Sequence, residues 1–237
     1  MENIEKRIAA YDWGQLSDNL HQKGYAQLPS LLTAEECEQL KSGYDNASFY
    51  RKTIVMARYR FGLGEYKYFN YPLPDLIQRI RTNVYPKLAP IANTWFCVLK
   101  QDVQFPLEHA ELLARCHSNG QEKATVLILK YAAGGFNTLH QDLYGDVYSP
   151  MQMVMLLSDP EKDYEGGEFV LTQQIPRAQS KAIVLKPKKG DALIFTTNFK
   201  PEKGTRGYYR VNMKHGVSEL RNGERYSLGI IFHDASS

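Results

Sequence analysis

The amino-acid sequence predicts a mainly β fold with α-helices, in which an N-terminal helical layer packs against a C-terminal β core. Two observations carry this prediction. The first hundred residues contain apolar positions at helical spacing. From about Ala124 the chain changes to short apolar or alternating runs separated by Gly, Pro and Asp, which is typical of a β-sandwich or barrel. We expect one domain over residues 1–237, with a mainly helical extension over 1–123 and the β core over 124–237.

The N-terminal layer should begin with two helices separated by an extended segment. Residues 4–21 can form a first helix, although the glycine in "DWG" makes its continuity doubtful. The stretch "YAQLPSLL" is typical of a short strand. In "TAEE", the Thr33 hydroxyl can cap backbone amides while the Glu36 carboxylate reaches back to the cap, so a second helix should run from about Ala34 to Tyr44.

A third helix should begin after Pro74. Its apolar positions recur every four residues and form one stripe, which indicates core packing rather than a cofactor surface. The stripe consists of Leu76, Ile80, Val84 and Leu88. Pro86 and Pro90 obscure where this helix ends.

The C-terminal half contains six runs that we interpret as strands. They are "ATVLILKY", "MQMVMLL", "EFVL", "AIVL", "ALIF" and "YSLGIIF". The turns "EGGEF" and "KKGDA" supply the Gly and Asp residues that lead into a new strand.

Composition excludes several classes of protein. The formal net charge of +3 is far below that of a dedicated nucleic-acid-binding domain. The longest apolar runs are too short to span a membrane, and the N-terminus lacks the apolar core of a signal peptide. Cys37, Cys97 and Cys116 form neither a zinc pattern nor a disulfide framework. We therefore expect a cytoplasmic protein without a membrane partner.

A metal site is the most specific prediction. His140 and Asp142, in "LHQDLYGD", can present an imidazole and a carboxylate to one side of a strand, because alternate residues share a face. His215 follows 75 positions later, with several strands between. Two histidines and one carboxylate form the facial triad of non-haem Fe(II) oxygenases, which leaves three coordination positions open.

A carboxylate-binding site should lie beside the metal. Arg225 follows His215 by ten positions, and its guanidinium can bind a carboxylate through two parallel charge-assisted hydrogen bonds. Tyr131, which precedes "AAGGFNTLHQD", can add a phenol to the same cosubstrate.

In the order of these motifs the chain resembles the 2-oxoglutarate- and Fe(II)-dependent oxygenases. The segment "HGVSELRNGERYSLGIIFHDA" is most similar to the prolyl-hydroxylase-like branch and its bacterial relatives, and the likeness covers about Thr125 to Ala235. It implies a double-stranded β-helix (a distorted jelly roll), with His140, Asp142 and His215 as iron ligands. It further implies that Arg225, with Tyr131 and Ser227, binds 2-oxoglutarate.

The resemblance implies a dioxygenase that consumes Fe(II), 2-oxoglutarate and O2, with ascorbate as a reductant, and releases succinate and CO2. We expect it to hydroxylate a protein side chain or a small molecule. The alternative is oxidative demethylation of alkylated nucleic acid, although "RYSLGIIF" carries one arginine where such demethylases usually have a second nearby. A zinc hydrolase would leave Arg225 without a role, and a non-enzymatic β module would not need intact ligands. The sequence does not indicate an oligomeric state.

The remaining polar residues are assigned more simply. His21, His109 and His117 are expected in loops or on the surface, and His233 at a hydrogen-bonded strand end. Tyr144 either lines the substrate entrance or packs in the core. The basic segment over 199–215, "FKPEKGTRGYYRVNMKH", is expected to be a loop. It is either solvated, or acts as a lid selecting an anionic substrate, or follows a single strand of nucleic acid with its basic and aromatic side chains.

Overall fold

A computed structural model describes residues 3–142, 145–160 and 162–237. Its helical elements lie mostly in the first half of the chain. The α-helices are α1 (Ile4–Ala10), α2 (Trp13–Lys23), α3 (Ala34–Ser42), α4 (Asp75–Val98) and α5 (His109–Ser118). Short 3-10 helices cover Gly43–Asp45, Ala47–Phe49 and Met56–Tyr59.

The strands form two antiparallel sheets. They are β1 (Tyr25–Leu28), β2 (Tyr50–Val55), β3 (Gly62–Leu63), β4 (Glu65–Phe69), β5 (Leu127–Ala132), β6 (Phe136–His140), β7 (Met151–Leu156), β8 (Tyr164–Gly166), β9 (Phe169–Gln174), β10 (Lys181–Leu185), β11 (Ala192–Thr196), β12 (Phe199–Gly204), β13 (Gly207–Val217) and β14 (Leu220–Ile231). The major sheet has the order β1-β11-β7-β14-β5-β4-β2, with β8 beside β14. The minor sheet has the order β10-β9-β13-β6-β3, with β12 beside β13. This arrangement agrees with the predicted double-stranded β-helix.

Strands β7 and β11 of the major sheet are buried on both faces. In β7, Met151 and Met155 belong to the hydrophobic core that the sheet shares with the helices, whereas Val154 packs with residues of the minor sheet. Because both faces are covered, such a strand reads as a nearly continuous apolar run, which is why "MQMVMLL" was recognisable in the sequence. Within β7, Gln152 is the buried polar exception, and it lies on the face toward the minor sheet.

The predicted cap of α3 is present. In α3, the Thr33 hydroxyl accepts from the Glu36 amide at 3.2 Å, and the Glu36 carboxylate accepts from the Thr33 amide at 2.8 Å. The predicted first helix is divided into α1 and α2, and Asp12 caps the second by accepting from the Gln15 amide. The break therefore precedes the glycine of "DWG".

Helix α4 differs from the sequence expectation because it continues through both prolines to Val98. Pro86 is half-buried and Pro90 is exposed, so both rings avoid the most deeply buried side of the helix. The opposite side buries an apolar stripe completely, including Ile77, Ile80 and Val84. Burial of that stripe outweighs the backbone hydrogen bonds that the prolines remove.

The N-terminal half also contributes strands that the sequence did not reveal. Strands β2 and β4 pair with each other, and β4 pairs with β5, so the major sheet extends into the first seventy residues. Strand β4, "EYKYF", alternates charged and aromatic residues, and β2, "YRKTIV", begins with polar and basic ones, so neither has the long apolar run of the central strands. The prediction that the N-terminal half is mainly helical therefore does not hold for residues 50–69.

The expectation of surface or loop positions for three histidines is wrong for His109. This residue starts α5 and is buried, with Nε2 donating to the Phe232 carbonyl at 2.8 Å. His21 lies on α2 and accepts from the Trp95 indole, and His117 lies on α5. His233 is buried just after β14, where its Nδ1 accepts from the Ser149 amide, in agreement with a hydrogen-bonded strand end.

Buried His109 should make the fold sensitive to acid. Burial, with a contribution from the Arg81 charge, lowers the pKa of His109 to about 4. An unfolded chain binds a proton near pH 6.5, so stability from neutral His109 is complete above pH 6.5 and is lost as the pH falls towards 4. The His109→Gln variant keeps a side-chain donor for the Phe232 carbonyl but does not titrate. Between pH 7.5 and pH 4.5 we expect its free energy of unfolding to fall by about 2 kcal/mol less than that of the wild type. Urea unfolding of both proteins measures this, and equal losses would contradict it.

Candidate active site

Strand pairing brings the three predicted metal ligands together. His140 ends β6 and is the direct cross-strand partner of His215 on β13, with ring centroids 4.2 Å apart. Asp142 lies two residues beyond β6, with Oδ1 3.5 Å from His140 Nε2 and Oδ2 3.2 Å from His215 Nε2. One ligand atom from each residue lies within 4.8 Å of the others. This spacing suits a single bound ion.

A β-bulge shapes the strand that carries His140. His215 pairs with His140, and Val217 pairs with Asn137. Between these two pairs β6 advances by three residues while β13 advances by two. Gly216 lies at this irregularity, and a Cβ there would come within 2.6 Å of the Asn137 carbonyl oxygen. Only glycine therefore allows the two strands to approach so closely beside the histidine pair.

The hydrogen bonds of His140 leave one nitrogen free to coordinate. Its Nδ1 lies 2.7 Å from the Thr138 carbonyl oxygen, which can only accept, so Nδ1 carries the proton. The lone pair is then on Nε2, the atom that faces Asp142. Orientation of a ligating imidazole by a backbone carbonyl is typical of metal sites.

The electrostatics of this group favour an ionised carboxylate. Burial alone would raise the pKa of Asp142, but His140 and His215 hold it well below the usual range when their Nε2 atoms carry protons that face the carboxylate. A bound cation would take the place of those protons. Burial lowers the pKa of His215, which favours its neutral, coordinating form. An approaching cation therefore meets one anionic oxygen and imidazole nitrogens, a ligand set that suits Fe(II).

Gln152 is a residue of this site that the sequence reasoning did not select. Its buried side-chain amide donates to Asp142 Oδ2 at 2.7 Å and lies 3.1 Å from His215 Nε2. Its position as a lone polar residue within the apolar run "MQMVMLL" is the signal that could have identified it. The amide orients the carboxylate from outside the three-ligand group.

Removing this amide should weaken metal binding. We expect Gln152→Leu to reduce the affinity for Fe(II) or Mn(II) roughly tenfold to a hundredfold, because Asp142 loses its orienting donor. The matched control is Gln174→Leu at the exposed end of β9. Titration calorimetry under argon measures the affinities, and an unchanged value for the Gln152 variant would exclude the orienting role.

Arg225 is a buried cation in the same cavity. It lies on β14 opposite Tyr131 on β5, is 2% exposed, and donates to the Ser227 hydroxyl at 3.1 Å. Its guanidinium lies 5.8 Å from the Tyr131 ring centroid and 6.0 Å from that of Tyr164. Within the described residues its Nε has no hydrogen-bond partner, and no carboxylate lies within 4.0 Å of the side chain. An anionic ligand would supply the missing charge.

All six predicted site residues line one cavity of about 270 Å³ between the two sheets. They are Tyr131, His140, Asp142, His215, Arg225 and Ser227. The remaining wall is largely apolar and aromatic, and includes Phe61, Tyr66 and Phe195. Such a wall limits water around the bound groups. Tyr144, the other candidate for this entrance, lies outside the described residues.

The basic segment expected to be a loop is instead the hairpin of β12 and β13, closed by Thr205 and Arg206. The expectation failed because the charged residues alternate with inward-facing side chains along paired strands. Lys200 is buried and pairs with Glu202 at 2.7 Å. Arg206 lies nine residues before His215, roughly 30 Å along an extended strand. That separation argues against Arg206 as a lid over the cavity.

Comparison with known proteins assigns the chain to a family. A family model named Oxygenase-NA, described as "Oxygenase, catalysing oxidative methylation of damaged DNA", matches residues 64–235. The uncharacterized protein Rv2227 of Mycobacterium tuberculosis (strain ATCC 25618 / H37Rv) is 45% identical over 168 residues, which cover 71% of this chain and 72% of that protein.

Solved structures share the fold at low sequence identity. A Pseudomonas putida prolyl-4-hydroxylase is 16% identical with a TM-score of 0.52, covering 92% of this chain and 97% of that one. A Trichoplax adhaerens prolyl hydroxylase in complex with a hypoxia-inducible-factor peptide fragment is 15% identical with a TM-score of 0.52, covering 98% and 93%. Among the helices described, none is both long and apolar enough to cross a bilayer.

Proposed function

Because the chain belongs to the Oxygenase-NA family, within the 2-oxoglutarate- and Fe(II)-dependent oxygenases, we propose that His140, Asp142 and His215 hold its iron and that Arg225 binds 2-oxoglutarate. The observation that carries this proposal is the buried Arg225 guanidinium, without a carboxylate partner in the described chain, in the same cavity as the three ligands. A hydrolytic zinc site would give that cation no role.

The ligand residues have distinct tasks in this proposal. Asp142 supplies an ionised oxygen, and His140 offers Nε2 because Thr138 fixes the proton on Nδ1. Gln152 keeps the carboxylate oriented. When bound, Fe(II) would supply the chemistry by which O2 oxidises 2-oxoglutarate to succinate and CO2 with one oxygen atom and a substrate C–H bond with the other.

The cosubstrate residues act by binding and orientation. Arg225 holds the distal carboxylate of 2-oxoglutarate through charge-assisted hydrogen bonds, and Ser227 keeps the guanidinium in place. The Tyr131 hydroxyl is fully buried near Arg225 and can donate to the same carboxylate. The apolar wall excludes water, which strengthens these interactions.

For the primary substrate, we propose an alkyl group on nucleic acid. The family description names damaged DNA, and this supports the alternative that the sequence alone made secondary. Hydroxylation of a carbon attached to nitrogen gives a product that loses the alkyl group. A protein side chain or small molecule is the competing substrate, supported by the prolyl hydroxylases of similar fold. Ascorbate as a reductant stays a prediction.

Conversion of 2-oxoglutarate tests the activity separately from the substrate. We expect succinate to form with Fe(II) and not with Zn(II), because a hydrolase would respond to Zn(II) and would not consume 2-oxoglutarate. NMR detects both acids directly. An alkylated oligonucleotide, a proline-containing peptide and no added substrate form the three arms. Absence of succinate in every arm with Fe(II)-loaded protein would refute the proposed oxygenase activity.

A further inference from the structure

The rim of the cavity carries two exposed aromatic rings. Tyr59 is 53% exposed and Phe61 is 45% exposed, and the rings stack with centroids 5.5 Å apart and an interplanar angle of 20°. Phe61 also lines the cavity. Stacked, exposed aromatic rings at the edge of a cavity offer a flat surface on which another planar group can stack.

Two arginines flank these rings in the sequence "RYRF". Arg58 and Arg60 are exposed, and neither has an acidic partner among the described residues. Arg60 follows the 3-10 helix Met56–Tyr59 in a left-handed backbone conformation, with φ of 60°. That turn places cationic and aromatic side chains within four consecutive residues at the entrance.

Hydrogen bonds fix this segment relative to the metal ligands. The Phe61 carbonyl oxygen accepts from both the amide and the hydroxyl of Thr138, each at 2.9 Å. The Thr138 carbonyl in turn accepts from His140 Nδ1. A group held on the Phe61 ring is therefore positioned by the same short stretch of β6 that positions an iron ligand.

From these contacts we infer that residues Arg58 to Phe61 form a docking platform for single-stranded nucleic acid. Unpaired bases stack on Tyr59 and Phe61, while Arg58 and Arg60 bind the flanking phosphates. A base beyond Phe61 then enters the cavity. This inference rests on the proposed function and deepens it. A duplex is not accommodated, because its base faces are covered, and an uncharged peptide would leave both arginines unused.

Binding of a fluorescein-labelled single-stranded DNA of about ten nucleotides tests the platform by anisotropy, without iron or 2-oxoglutarate. We expect Tyr59→Ala and Phe61→Ala each to weaken binding roughly tenfold. We expect the double variant Arg58→Gln/Arg60→Gln to weaken binding and to reduce the dependence of log K on log salt by about 1 to 2. The matched aromatic control is Phe49→Ala, which changes a ring that is 41% exposed but does not line the cavity.

The platform is overturned if the wild type does not bind the strand, if the platform variants bind like the wild type, or if Phe49→Ala weakens binding equally. Tighter binding of a peptide than of DNA would also overturn it. Succinate formation without strand binding would remove the platform and leave the oxygenase activity standing. Strand binding without succinate formation would remove the oxygenase activity and leave the platform standing. The two proposals therefore fail separately.

Discussion

Replacing Asp142 with alanine is expected to reduce succinate formation to the background of the assay. The variant lacks the only anionic ligand of the three, so the cation is left with two neutral imidazoles. Loss of a ligand should exceed the roughly tenfold to hundredfold loss of metal affinity that follows removal of an outer hydrogen-bond partner. Calorimetric titration with Mn(II) measures binding, and NMR measures succinate.

Two further variants make this result interpretable. Asp146→Ala removes an exposed acid from the same loop and should retain full activity. Asp142→Asn keeps the shape and an acceptor for Gln152, and it should also lose activity because the ionised oxygen is gone. Circular dichroism verifies that both Asp142 variants are folded. A folded Asp142→Ala protein that still converts 2-oxoglutarate would exclude the proposed ligand set.

Arg225→Met should raise the dissociation constant for 2-oxoglutarate by roughly tenfold to a hundredfold, since a hydrogen bond to a charged group contributes about 1.5–3 kcal/mol. Methionine replaces the stem of the side chain and removes the charge together with the guanidinium N–H donors, including the one to Ser227. The same substitution should leave the unliganded protein at least as stable as the wild type, because a buried cation without a counter-charge costs free energy.

The two measurements together distinguish binding from structure. If Arg225 were merely structural, its loss would lower the melting temperature and leave the affinity for 2-oxoglutarate unchanged. Arg221→Met, on an exposed position of the same strand, should alter neither quantity. Calorimetry with Mn(II)-loaded protein gives the affinity, and thermal unfolding without ligand gives the stability.

The central strands could be predicted from the sequence because burial on both faces makes them continuously apolar. Strand β4 could not be, because its tyrosines alternate with charged residues and two of its five side chains, Tyr66 and Tyr68, face the cavity. The hairpin around Arg206 is predicted as a loop because its many charged residues obscure the alternation of charged and inward-facing side chains along the two strands. The composition of a segment therefore predicts a strand only where the whole strand lies in a single environment, such as burial on both faces.

For the site, spacing and family resemblance selected six residues that the structure places around one cavity, and their chemical roles stay proposals. Gln152 was overlooked because an isolated polar residue in an apolar strand has no motif. Phe61 was overlooked because its place at the entrance depends on the pairing of β3 with β6, a contact between segments about 75 residues apart. Such long-range contacts carry no local signal.

The β-bulge beside His140 increases the number of side chains that β6 places at the cavity. Regular alternation would direct two of the four residues 137–140 toward the interior. With the extra residue, Asn137, Thr138 and His140 all border the cavity. A strand of five residues thus places as many side chains at the cavity as a longer regular strand would, and the partner strand β13 keeps its regular course.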